Sequence, residues 1–229
     1  MILLQDIIKS NHHWQPAWLL LLIVLSVMLT GYLFSAFNTR FMAVIKSFFT
    51  ARFASELARE EYSLTHPVSV LLSVNYLLTA SLFILQVLAA KNIFPSHIDF
   101  SILSLLLIIG CLFLVYFIKV LSVAIVAFIY DKQQLAHEYT FNIFLVNQMA
   151  GIGFIPVIIF IAYGNSWLAN LFIYIGLILM ISAFVIRLWK GVIAAFSGSG
   201  TTLFYLFLYL CTLEILPLLI AIKLFEKLA

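Results

Sequence analysis

The chain has 229 residues, of which 65% are hydrophobic and 9% charged, with a formal net charge of +3. Soluble domains average about 45–50% apolar and about 25% charged, so this chain has too little polar surface to cover a water-soluble globule and must use lipid as its solvent. Its basic residues are scattered rather than clustered, which excludes the dense basic patch of a nucleic-acid-binding protein.

A helix needs about 20 apolar residues to cross the hydrocarbon core. In chain order, Met1–Gln15 lacks the basic start of a signal peptide, and the apolar run after it is too long for one. The pattern therefore predicts a retained first span over Ala17–Phe37. His12-His13, just before it, reads as surface. Further spans follow over Pro67–Ala90, Phe100–Tyr130, Tyr139–Tyr163, Trp167–Leu188 and Thr201–Ile222, giving an all-α polytopic bundle of about six helices in a single membrane domain, residues 1–229. The third run is about 46 Å long as a helix and holds Lys119, so it must tilt, project or break near that lysine. Continuously apolar runs favour helices over the alternating segments of a barrel. No internal repeat supports an inverted-repeat transporter.

Between the first two spans, Arg40–Leu57 carries Phe41, Ile45, Phe48, Phe49 and Phe53 at helical spacing, with Lys46, Thr50 and Glu56 on another side. This predicts an amphipathic helix, either lying along the interface or packed on the ends of the bundle. Cys111 and Cys211 both lie in apolar runs and are expected to be buried free thiols packing as small hydrophobes.

With six spans, Lys9, Lys91, Lys223 and Lys227 share one side of the membrane. Arg40, Lys46, Arg52, Arg59, Lys132, Arg187 and Lys190 share the other. The more basic side is expected to be cytoplasmic, which puts both termini outside.

Ionisable and amide groups within spans are costly and tend to face the bundle interior. Glu214, beside Pro217 in the last span, is the sharpest candidate: a carboxylate there must be protonated or paired. It serves either an ion or substrate site or an interhelical bond that fixes packing. Lys119 is a conceivable partner for it, but on depth it belongs near the membrane surface, where snorkelling suffices. Asn142, Asn147 and Gln148 make the fourth span the most polar, and Gly151, Gly153 and Pro156 follow. Amides bond across helices and glycines allow close approach, while a break near Gly151–Pro156 would line a cavity. Asn75 is a weaker member of the same class. His66, Asp131, His137, Glu138, Arg187 and Lys190 gather at the cytoplasmic ends. His66, His137 and Glu138 are weak catalytic candidates through acid–base chemistry, against the alternative of plain interfacial solvation. His137-Glu138 lacks the second histidine of a zinc signature, and no nucleotide-binding loop or nucleophile elbow is present, so no metal or cofactor is expected.

Two stretches, His137-Glu138-Tyr139-Thr140-Phe141-Asn142 continuing to Asn147 and Gly151, and Tyr209-Leu210-Cys211-Thr212-Leu213-Glu214-Ile215-Leu216-Pro217, resemble an uncharacterised family of multi-pass inner-membrane proteins from Bacteroidota, a domain of unknown function. The resemblance implies a bacterial inner membrane and brings no activity, substrate or cofactor. Three roles follow as expectations. The first is a non-catalytic subunit or assembly factor of an envelope complex, with membrane lipids and other membrane subunits as partners. The second is a small lipid or ion transporter using Glu214, Asn142, Asn147, Gln148, Lys119 and Arg187. The third is an enzyme acting on a lipid at the inner leaflet.

Overall fold

The computed structural model describes residues 16–50, 66–90, 101–129 and 133–196. Within them the chain forms six helices: α1 (Ala17–Ala36), α2 (Asn38–Phe49), α3 (Pro67–Ala90), α4 (Ile102–Ile129), α5 (Gln133–Tyr163) and α6 (Ser166–Phe196). All but α2 are long and apolar enough to cross a membrane. The run 201–222, with Glu214 and Cys211, lies outside the described residues, as do His12, His13 and Asp131.

The helices begin and end where local chemistry dictates. Pro16 precedes α1 with φ −64° and ψ 142°, a conformation its ring favours. One non-helical residue, Phe37 (φ −131°, ψ 41°), separates α1 from α2. Its N–H still donates to the Leu33 carbonyl at 3.1 Å, and its carbonyl accepts from Phe41 N–H at 2.9 Å, so the chain turns with little loss of backbone bonding. At the α5–α6 hairpin Gly164 N–H donates to the Phe160 carbonyl at 2.9 Å. A Cβ at that position would sit 2.3 Å from the same carbonyl oxygen.

Helices α3 and α5 form the centre: 56% of the residues in each spanning window are buried, against 11% in α4 and in α6. The two largest interfaces are α5 on α6 and α3 on α5, while α4 and α1 lie against both central helices. The main core joins Leu19 and Ile23 of α1 to Leu82, Phe83 and Leu85 of α3, and Phe154, Val157 and Ile158 of α5. Phe83 and Phe154 stack there with ring centroids 5.0 Å apart. A second core gathers Leu33, Phe41, Val44, Val68, Leu72, Phe141 and Leu145, which seats α2 on the ends of α1, α3 and α5. Phe49 at its end is exposed.

Two open alternatives are decided, a break at Lys119 and a break at Gly151–Pro156, and other expectations are corrected. The third span does not break at Lys119: α4 runs unbroken through it, and Lys119 is buried. The fourth span does not break at Gly151–Pro156, because α5 continues through Pro156 to Tyr163. Prolines are tolerated in membrane helices where neighbours re-satisfy the freed backbone groups. Of the expected amphipathic stretch, α2 covers the part up to Phe49, after which Thr50 is extended (φ −125°, ψ 114°), and residues 51–57 lie outside the described residues. Cys111 is exposed instead of buried, because α4 is apolar all round and the face it turns inward is not written in its pattern.

Lipid tails are as apolar as leucine, so helices in a bilayer associate through close packing and hydrogen bonds. The two central helices approach closely at Gly151, where an added Cβ would lie 2.8 Å from Tyr76 Cα and 3.2 Å from its backbone nitrogen. Backbone cannot swing aside as a side-chain tip can. At Gly176 an added Cβ would meet the Phe83 ring at 2.2 Å, whereas at Gly31 and Gly110 nothing lies within 4 Å. The contrast gives a prediction of opposite signs. Gly151→Ala destabilises by about 1–3 kcal/mol through overpacking, whereas Gly31→Ala stabilises by up to about 1 kcal/mol because alanine is the better helix former. Reversible unfolding of each variant in mixed micelles measures both.

Candidate functional site: a ladder of buried polar groups

Most of the described polar side chains within the spans are serine, threonine or amide, and the helices bring buried polar groups together in three places. The first links α1 to α3. Ser26 Oγ donates to Asn75 Oδ1 at 2.8 Å, and Asn75 Nδ2 donates to Thr30 Oγ1 at 3.1 Å. Thr30 Oγ1 in turn donates to the Ser26 carbonyl at 2.9 Å, closing a small ring in which Asn75 is 3% exposed. The spacing explains it: Ser26 and Thr30 are four apart and share a helix face, so one asparagine reaches both.

The second place links α3 to α5. Gln148 Nε2 lies 2.8 Å from Ser69 Oγ, 3.0 Å from the Ser69 carbonyl and 3.2 Å from Ser73 Oγ. Ser69 and Ser73 again lie four apart, and the Gly151–Tyr76 approach brings their helix within reach of the amide. Gln86 makes a further α3–α5 bond, Nε2 to the Ile158 carbonyl at 3.2 Å.

The third place lies among α4, α5 and α6. An Arg187 Nη2 donates to Asn147 Oδ1 in a short hydrogen bond. Its Nε is buried with no hydrogen-bond partner. The Tyr116 hydroxyl of α4, whose ring packs edge-on against Phe144 at 5.0 Å, is likewise buried and pairs with the Asn147 side chain. Three residues after Arg187, Lys190 Nζ lies 5.4 Å over the Phe48 ring of α2, also buried and without a hydrogen-bond partner.

The structure thus brings Asn147 to Arg187 and places Gln148 on the opposite contact of the same helix. Asn142, half-buried on α5, and buried Lys119 also have interaction partners of their own. His66 caps α3: its Nδ1 accepts from Val68 N–H at 3.3 Å, and its ring meets Phe37 edge-on at 6.1 Å. His137 is exposed on α5, and the Glu138 side chain lies outside the described ones. Among the described residues no group of three His, Cys, Asp or Glu side chains is arranged to hold a metal.

Sequence reasoning missed Ser26, Thr30, Gln86 and Tyr116. Gln86 had a signal, an amide within an apolar run like that of Asn75. The hydroxyls had none, since serine and threonine occur in membrane helices bonded to their own backbone, as Ser47 is to the Ala43 carbonyl at 2.7 Å.

Asn75→Leu would leave Ser26 and Thr30 without their interhelical partner. It is predicted to lower the unfolding free energy by about 1–2 kcal/mol, measured by unfolding in mixed micelles, with helix content unchanged.

No curated protein and no solved structure matches the chain. A family described as a domain of unknown function, DUF4271, matches residues 19–225. That match takes in every helix described above, from Leu19 near the start of α1 onward, and the chain is a member of the DUF4271 family of unknown function.

Proposed function

We propose that this protein is a non-catalytic multi-pass subunit or assembly factor of a bacterial envelope complex, seated in the inner membrane. The observation that carries the reading is the use made of the buried amides. Asn75, Gln86, Asn147 and Gln148 each bond to a neighbouring helix. A transport path needs polar groups turned toward a substrate, whereas these are engaged in holding α1, α3, α5 and α6 together. The weak catalytic set lends no support to an enzyme, since His66 caps a helix and His137 is exposed.

Rigid anchoring of the centre leaves the outer helices available. On α4, Leu106, Leu107, Phe113, Leu114, Phe117 and Ile118 are all exposed, with Phe113 and Phe117 stacked at 6.4 Å. Aromatic side chains are enriched at protein interfaces, and this face fits a partner helix in the membrane. In this reading α2 rests at the cytoplasmic interface on its Phe41 and Val44 side, with Lys46 outward. The basic ends carrying Arg40, Lys46, Arg187 and Lys190 face the cytoplasm.

Photo-crosslinking in intact cells tests it. A benzophenone amino acid at Leu107, Leu114 or Ile118 is expected to give one discrete protein adduct of constant mass, absent when the same probe replaces buried Leu82. Adducts to lipid alone at all three positions would contradict the subunit reading.

A further inference from the structure

Helix α2 has a side that the bundle does not use. It is 12 residues long, about 18 Å, too short to cross a hydrocarbon core about 30 Å thick. Within that length it meets four other helices. Phe41 and Val44 pack with Leu33 of α1, Val68 and Leu72 of α3, and Phe141 and Leu145 of α5. The Phe48 ring lies 5.4 Å from Lys190 Nζ of α6. These contacts share one depth. Val68 and Leu72 belong to the first turns of the span that starts at Pro67, Phe141 and Leu145 to the first turns of the one that starts at Thr140, and Lys190 ends the one that starts at Ser166. All lie within about 9 Å of one end of the spans, at 1.5 Å per residue. A short helix that touches four spans at one level lies across them, along the plane of the membrane boundary.

At 3.6 residues per turn the side chains of α2 divide into arcs. Val44, Phe48 and Phe41 fill about 60° of the circumference and face the bundle. Ile45, Phe49 and Met42 fill another arc of about 60°, starting about 40° beyond Phe41. Phe49 is 77% exposed and Met42 37%, with Ile45 half-buried at the border. Lys46 and Thr39, both exposed, follow within about 60° of Met42. The exposed apolar side chains and the exposed lysine are therefore neighbours on one side of the helix. Phe34 of α1, itself exposed and edge-on to Phe41 at 5.8 Å, carries the apolar surface on toward the middle of the span. Around α2 the order is thus bundle, exposed apolar, exposed polar, which is the order that a helix at the rim of a bundle meets as protein, acyl chains and headgroups.

We propose that this outer side of α2 is a lipid-binding anchor: Met42 and Phe49 enter the acyl boundary of one leaflet, and Lys46 reaches the phosphates of anionic headgroups beside them. Interfacial helices bury their apolar side about 5–10 Å into that boundary, which is the depth of the α2 contacts. A lysine stem lies along apolar surface while its ammonium stays at the polar level, so Lys46 fits next to Met42. A protein partner would have to bury Lys46 together with Phe49, and the buried centres of protein interfaces are depleted in lysine. The anchor shares the membrane placement adopted above but does not depend on the subunit role, and it stands whether or not a partner binds α4.

Spin labels on Met42→Cys, Phe49→Cys and Thr39→Cys, one at a time in the full chain carrying Cys111→Ala and Cys211→Ala, test the placement in nanodiscs. The labels at 42 and 49 are expected to be reached by oxygen in preference to a water-soluble nickel chelate, and the label at 39 by the chelate. Chelate access at all three overturns the proposal by placing α2 in water. Access of neither reagent at 42 and 49 overturns it by placing that side against protein. With spin-labelled lipids as probes, phosphatidylglycerol is expected to be held over phosphatidylcholine, and Lys46→Gln to lower that preference by up to about fivefold. An unchanged preference overturns the headgroup contact. Should the cysteine-free chain not fold, a benzophenone amino acid at Phe49 in the otherwise wild-type chain decides: a lipid adduct is expected, and a protein adduct or none overturns the anchor. A lipid adduct at Phe49 with no protein adduct at Leu114 would remove the subunit reading and leave the anchor in place.

Discussion

The contact between α3 and α5 at Gly151 governs the rest of the bundle. Glycine lets α5 approach until its Cα side meets the Tyr76 backbone, and only at that separation does Gln148 reach Ser69 and Ser73. Once α5 is fixed against α3, its remaining surface presents Asn147 to Arg187 of α6. On the other side of α3, Asn75 is turned toward Ser26 and Thr30 of α1. A hydrophobic effect cannot assemble these helices in lipid, so close packing and interhelical hydrogen bonds must do it. The four helices are coupled in series through one another's polar groups.

This arrangement also explains which surfaces remain for other molecules. The central helices bury more than half of their spanning residues, and the flanking α4 and α6 bury few. Both flanking helices are therefore apolar surfaces without a described partner, but they differ chemically. On α4 the exposed face is aromatic and aliphatic, interrupted by no exposed charge. On α6 the exposed strip of Ile178, Ile181 and Val185 faces away from Arg187, which turns inward to Asn147.

Five of the six expected spans appear as long apolar helices, legible because membrane thickness fixes helix length: α3 has the boundaries the apolar run predicts, Pro67 and Ala90. The resemblance to a family of unknown function agrees with the family match over residues 19–225. What could not be read was rotation. Nothing in α4 says which side faces inward, so Lys119, expected to snorkel, is buried, and Cys111, expected to be buried, is exposed. Partners were equally hidden. Asn75 stood out as an amide, yet its partner Ser26 lies 49 residues away and looks like any other serine in an apolar run. Pro156 suggested a break, but the helix absorbs it. The polar candidates were thus found by cost, while their roles depended on packing that no local pattern encodes.

The central claim is that the amides of the spans hold helices together. A double-mutant cycle between Gln148→Leu and Ser69→Ala, read by reversible unfolding in mixed micelles, tests it most directly. The account predicts a coupling energy of about 0.5–1.7 kcal/mol, the range of interhelical bonds in membranes. Additivity within about 0.3 kcal/mol would contradict it, because Gln148 would then be doing something other than joining α5 to α3.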